Sequence, residues 1–191
     1  MGRGKTFISK SLPYLGKYLE GNVRVGLLSS HESVVWREFQ KGKSTSAIAE
    51  EHKADDWSPA YVSRVLNRAR KKIAKTLKEH ANSHRLDIET ILDYKGLLIG
   101  YDYQTSSQVY IVYTKNLGTV VWYKHDSYAG KLCPECPKEK ECRVTLDAII
   151  NEYDISLRPD EEQLFMTDQS IAIFNKLAAK ETPRYKRQGG D

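Results

Sequence analysis

The stretch that decides the fold runs from Ser44 to Ala81: STSAIAEEHKADDWSPAYVSRVLNRARKKIAKTLKEHA. Ser44 or Thr45 can cap a short helix over Ala47 to His52, with Ile48 and Ala49 as its buried positions. Asp55, Asp56 and Trp57 then lengthen a turn. Ser58 followed by Pro59 pairs a good N-cap with a residue suited to the first helical position, so a second helix opens there. Its apolar residues Val62, Leu66, Ala69, Ile73 and Leu77 recur every three or four positions, and Val65 widens the stripe. From Pro59 to about Ala81 this helix would reach roughly 35 Å at ~1.5 Å per residue. That outruns a small helical unit. Its rear half, Ile73 to Ala81, is therefore expected to pack on a second domain, a dimer partner or both.

The same helix holds the charge. Between Pro59 and Arg85 there are eight Lys/Arg against the single acid Glu79, a net +7 in a chain whose total is +5. The rest of the chain is slightly acidic. A sequence pI near 9.0 points to an anionic partner, and this segment says where it would bind.

Upstream, Ser30-His31-Glu32-Ser33 reads as a helix start capped by Ser30. Val34, Val35, Trp36 and Phe39 supply its apolar side, and Gly42 stops it. Helix, short helix and long basic helix together suggest a helix-turn-helix, whose second helix lies in the major groove of DNA. In that geometry Ser58, Ala60, Tyr61, Ser63, Arg64, Asn67 and Arg68 sit at the front. Arg64 could pair with guanine and Asn67 with adenine. Lys71, Lys72 and Lys75 suit phosphates, as do the backbone N–H groups at Ser44, Thr45 and Ser46. The plain alternative is a solvated, lysine-rich helical face.

The segment ESVVWREFQKGKSTSAIAEEHKADDWSPAYVSRVLNRARKKIAKTL resembles the helix-turn-helix of sigma-factor promoter-binding domains and archaeal Tfx-type regulators. The resemblance rests on Glu32, Gly42, Ser46, Ile48-Ala49, Val62-Ser63, Arg68-Ala69-Arg70 and Lys72-Ile73, within residues ~31–80. It departs at Ala54 to Trp57, where the turn is about three residues longer than usual. The resemblance implies sequence-specific DNA binding and transcriptional control, and it does not extend to residues 86–191.

After a break at Asn82-Ser83-His84, Leu86 to Leu92 reads as a short helix or turn, with Ile88, Ile91 and Leu92 apolar. LLIGYDY (Leu97–Tyr103), QVYIVYT (Gln108–Thr114) and TVVWYK (Thr119–Lys124) are rich in β-branched and aromatic residues. Short polar turns join them, which predicts a three-stranded antiparallel meander. Its tyrosines (Tyr101, Tyr103, Tyr110, Tyr113, Tyr123) suit core packing or stacking on nucleobases. Val144–Tyr153 has helical spacing, Arg158-Pro159 breaks it, and Thr167-Asp168 opens a last helix with Ile171, Phe174, Leu177 and Ala178 on one face.

The three cysteines fall within KLCPECPKEKECRV as C-x2-C-x5-C: Cys133, Cys136 and Cys142. An odd number, clustered, argues against a secreted disulfide framework and for a metal. Zinc on these three thiolates with His125, an iron–sulfur cluster with a fourth ligand from Asp126 or His125, and free thiols or a disulfide all remain open. The spacing partly resembles the last three ligands of the iron–sulfur loop in endonuclease-III-type glycosylases, with Asp126 where the first cysteine would stand. A cluster would suit a redox or iron sensor.

Several classes are excluded. GRGKT (Gly2–Thr6) and GKST (Gly42–Thr45) lack the earlier glycine of a phosphate loop. No apolar run approaches ~18 residues, so no membrane span is expected, and no secretory signal is visible. Gly2 with Thr6 is a poor myristoylation match beside Arg3 and Lys5. No Ser/His/Asp set or paired carboxylates stand out, and His52, His80 and His84 read as surface or capping residues.

The expectation is an α+β, cytoplasmic, non-enzymatic regulator. Residues 1–84 would form the helix-turn-helix domain and 85–180 a small three-stranded sheet with helices and the cysteine loop, for sensing or dimerisation. Residues 181–191 would be a disordered tail. The partners expected are double-stranded DNA, a second copy of the chain, and RNA polymerase. The rival readings are a nucleic-acid repair enzyme with an iron–sulfur cluster and a polymerase-binding adaptor.

Overall fold

The computed structural model describes residues 26–125 and 131–181. The expectations for residues 1–25, for Asp126 and for the tail from 182 lie outside the described residues. Helix α1 spans Ser30–Gln40. Its cap is Ser29, one residue before the expected Ser30. Ser29 Oγ accepts from the Glu32 N–H, and the Glu32 carboxylate accepts from the Ser29 N–H at 2.8 Å. This reciprocal capping box satisfies two backbone donors that a helix start otherwise leaves bare. Gly42, at φ 86°, ends the helix in a conformation most side chains avoid. Lys43 then bridges Glu38 (2.7 Å) and Glu51 (2.6 Å), tying α1 to α2 (Thr45–Glu51). Ser44 caps α2 through Ala47 N–H.

Helix α3 runs Pro59–Ser83, 25 residues or roughly 37 Å. Ser58 Oγ accepts from the Tyr61 N–H, and Pro59 occupies the first turn. Its buried residues are Val62, Val65, Leu66, Ala69, Ile73, Leu77 and Ala81. The connection from α2 takes seven residues, His52–Ser58. It contains a 3-10 turn at Lys53–Asp55 and a left-handed Asp56 (φ 57°).

That connection corrects part of the expected fold. A helix-turn-helix joins its two helices through a turn of about three to four residues. Here the extra residues Ala54–Trp57 form their own turn, and the Trp57 ring stacks on His52 at 4.3 Å. The described residues open with three packed helices, not with a helix-turn-helix.

The second correction concerns the sheet, which has four strands. They are β1 (Asp87–Leu92), β2 (Leu97–Asp102), β3 (Ser107–Thr114) and β4 (Gly118–Tyr123), antiparallel and in order β1-β2-β3-β4. The missed strand is β1. Its register against β2 slips between Ile88 and Thr90: Ile88 pairs with Gly100, Thr90 with Ile99 and Ile91 with Leu98. A bulge adds one residue to one strand. Ile88 and Ile91, three apart, therefore oppose Gly100 and Leu98, two apart, and share a face. The bulge makes a strand face look like helical spacing. Gly100 also allows the close approach of β1, since a Cβ there would sit 2.8 Å from Asp87 O.

The remaining helices are α4 (Glu139–Tyr153), a short α5 (Pro159–Glu162) and α6 (Met166–Ala179). Successive strand residues face opposite sides. Tyr110 of β3 stacks on Phe174 of α6 (4.3 Å, 4° between rings). Tyr113, on the other face, meets Trp36 of α1 edge-on. Helix α3 packs on β2, β3 and β4. Its rear half thus buries Ile73, Leu77 and Ala81 against the sheet of its own chain, and one continuous core joins the helices to the sheet.

Two lysines lock the helix ends. Lys180 Nζ donates to Gln40 O at 2.7 Å and to Tyr153 O, the last residues of α1 and α4. Lys95 Nζ donates to Ala178 O near the end of α6. Helix C-termini carry bare carbonyls and partial negative charge, so a cation there is favourable. Burial pushes both ammonium groups below the usual lysine value.

Candidate nucleic-acid face and cysteine–histidine cavity

With one side of α3 buried, its polar residues are forced outward. Arg64, Arg68, Lys71, Lys75 and Lys78 follow one another at intervals of four, three, four and three, which keeps them on one stripe. Ser63 and Asn67 are exposed beside its front end. The cations are not equivalent. Arg64, Lys71 and Lys78 make no ion pair among the described residues. Lys75 reaches Glu79 at 3.8 Å on the surface.

Arg68 and Lys72 turn to one carboxylate. Lys72 Nζ lies 2.7 Å and Arg68 Nε 3.9 Å from Glu32, whose side chain is only 4% exposed. Burial pushes the Glu32 carboxyl up, but Lys72 and the Ser29 cap outweigh it and hold it below the usual range. Arg70 belongs to the other side altogether. It pairs with Asp93 (3.4 Å) and its guanidinium lies 4.3 Å over the Tyr94 ring.

The front of α3 carries a ring cluster that the spacing did not reveal. Tyr61 Oη is 2.6 Å from His31 Nδ1. Trp57 lies 4.9 Å from His31, 5.6 Å from Tyr61 and stacks on His52, which also reaches Asp55 at 3.3 Å. Only the Trp57–Tyr61 spacing, one helical turn, could have been read from sequence. Ser44 and Ser58 spend their hydroxyls on caps, and Thr45 is half-buried.

At the far end of the sheet lies a cavity of about 530 Å³. Val121, Trp122 and Tyr123 line it from β4, His125 from just past the strand, and Cys136 and Cys142 from the cysteine loop and the start of α4. Cys133 opens a 3-10 turn (Cys133–Glu135), Cys136 closes it, and Cys142 sits in the first turns of α4. All three are half-buried free thiols. Burial, with Cys136 and Cys133 nearby, pushes the Cys142 thiol up. The His125 ring takes a fixed pose, its Nδ1 2.8 Å from Tyr123 O. An Nδ1–H donor there leaves Nε2 as the free lone pair, the arrangement usual for a metal-ligating histidine.

The donor types therefore suit zinc or an iron–sulfur cluster. Among the described residues no three His, Cys, Asp or Glu side chains converge to metal-holding geometry. No protein-family model, curated protein or solved structure matches the chain. No helix among the described residues is long and apolar enough to cross a membrane.

Proposed function

We propose that this chain is a sequence-specific DNA-binding transcriptional regulator that lays the outward face of α3 along the duplex. The observation that carries the reading is the cation stripe from Arg64 to Lys78, opposite the buried stripe and including three cations with no acid partner among the described residues. Lys71, Lys75 and Lys78 supply charge for phosphates, while the Arg64 donors match the two guanine acceptors and the Asn67 amide can donate to and accept from an adenine edge. Lys71, Lys75 and Lys78, spread over about 10 Å of the helix, suit a run of phosphates spaced ~3.4 Å along a strand. A homodimer would double those contacts. Its interface cannot reuse the apolar stripe of α3, which the sheet already covers.

In the same reading Cys133, Cys136, Cys142 and His125 hold zinc or an iron–sulfur cluster. The metal would staple the cysteine loop to β4, or sense redox state by being lost.

Fluorescence anisotropy with labelled duplexes tests the DNA reading. Binding through the three phosphate-contacting lysines gives a log–log salt slope of about −2.7. A full-length protein that binds no duplex at low salt overturns it. Genome-wide occupancy in cells would then supply the target sequence. Zinc and iron measured per chain, on protein purified without oxygen, test the metal. A chain that carries neither removes that part of the proposal.

A further inference from the structure

A second cavity, of about 350 Å³, opens where α1, the β3–β4 turn and α4 meet. Its inner wall is apolar, with Leu28, Trp36 and Tyr113 all buried. Its rim is cationic: Arg37 and Lys41 come from the end of α1, and Lys115 from the turn. Lys41 and Lys115 make no ion pair among the described residues, and Arg37 is 47% exposed although it touches Glu38 at 3.0 Å.

The one acid among the described rim residues is Glu152 of α4. Both of its oxygens accept from the Lys115 backbone N–H, at 2.8 and 2.7 Å. Even so, burial pushes Glu152 up to about 7. Near neutrality it is a weak counter-charge, and the cavity keeps an excess of positive charge over an apolar floor. Small-molecule sites pair an apolar wall with placed polar groups, at volumes from ~300 Å³ upward; here Ser33, Asn116 and Asn151 add polar groups to the charged rim.

We propose that this cavity binds a small organic carboxylate. Lys41, Lys115 and Arg37 take the acid group at the rim, and the apolar body of the ligand lies against Trp36, Tyr113 and Leu28. An inorganic anion would use only the rim, and a neutral analogue only the floor. The site lies on the α1 side of the molecule, apart from the cysteines and from the stripe of α3. It does not depend on the nucleic-acid reading, and either can fail alone.

Titration of the full chain with benzoate tests the proposal. Calorimetry reads the affinity, and the indole N–H resonance of Trp36, assigned with Trp36→Phe, reads the location. The expected result is saturable one-to-one binding that moves the Trp36 signal, with benzamide and inorganic phosphate each at least about tenfold weaker. Lys115→Met and Lys41→Met should each weaken benzoate roughly three- to tenfold. Lys140→Met, an exposed cation on α4 away from the rim, should leave it unchanged. Absence of saturable benzoate binding overturns the assignment. So does benzamide or phosphate binding as tightly as benzoate, a Trp36 signal that stays still, or unchanged affinity in both lysine variants.

Discussion

Helix α3 carries two sets of cations with the same chemistry and different duties. Arg68, Arg70 and Lys72 face inward neighbours: Glu32, Asp93 and the Tyr94 ring. Arg64, Lys71 and Lys78 face solvent and have no acid partner among the described residues. A net charge summed over the helix counts both sets alike. Only the second set is wholly available to an outside anion. The first set spends its charge on holding α3 to α1 and to the turn after β1. A basic helix thus reports a binding face only after its internal ion pairs are subtracted.

The largest test of this division removes the solvent set. Arg64→Ala, Lys71→Ala and Lys78→Ala together should lower DNA affinity about 100- to 1,000-fold at moderate salt and reduce the salt slope by roughly 1.8, the share of the two phosphate-contacting lysines. Stability should stay within about 0.5 kcal/mol for each, because these side chains touch no buried group. Anisotropy and urea unfolding read the two quantities separately. A stability loss equal to that of the anchored set would erase the distinction.

Lys72→Met makes the opposite prediction. It leaves the Glu32 carboxylate, 4% exposed, with the Ser29 N–H at 2.8 Å and Arg68 at 3.9 Å as its remaining partners. Leaving a buried acid short of its partner costs more than removing a surface charge. Lys72 is itself half exposed, so the expected loss is about 1–3 kcal/mol by urea unfolding at pH 7. Because the Glu32 pKa is held down in the folded state, this contribution is present above the ordinary carboxylate pKa and fades as the pH falls below it. The DNA salt slope should change less than in the triple variant.

Glu152 tests a different region, with the sign reversed. Its folded pKa, about 7, lies above the ordinary 4.5. The folded protein keeps this proton longer than the unfolded chain does. The associated stability is full below pH 4.5 and is lost as the pH rises through about 7. Glu152→Gln should flatten that loss, by roughly 1–2 kcal/mol between pH 5 and pH 8, in paired urea titrations. Parallel pH curves for the two proteins would show that burial does not control this carboxyl.

Much of α3 was legible because a helix buried on one side writes its period into the chain. Val62, Leu66, Ala69, Ile73 and Leu77 take the buried positions of that period, and all are buried. Its start was equally legible from Ser58-Pro59. Strands β2, β3 and β4 announced themselves through β-branched and aromatic runs between polar turns. Strand β1 did not, because its bulge placed Ile88 and Ile91 on one face at a helical interval. Helix α6 was found but turned: Ile173 is fully buried while Ile171 is only partly so. Ion pairs were the least legible part. Glu32 lies forty residues from Lys72, and no local pattern joins them. The clustering of His125 with Cys136 and Cys142 around one cavity depends on β4 and the cysteine loop meeting in space, as does the rim of Arg37 and Lys115.

Lys75 stands between the two cation sets and gives the smallest effect. It is 78% exposed and 3.8 Å from Glu79, itself 60% exposed. A surface pair of this kind contributes ~0.3–0.5 kcal/mol to the helix and is screened by salt. Lys75→Ala should therefore cost little stability. On DNA it should weaken every duplex alike, by about two- to threefold, since part of its charge is already spent on Glu79. Arg64→Ala should instead narrow the gap between a preferred duplex and a random one, because a guanidinium can read a base edge and a lone ammonium on a phosphate cannot. Competition titrations against both duplexes separate the two results. If Lys75→Ala narrows the gap as much as Arg64→Ala does, base reading is not confined to the front of α3, and the contact surface must extend further along the helix.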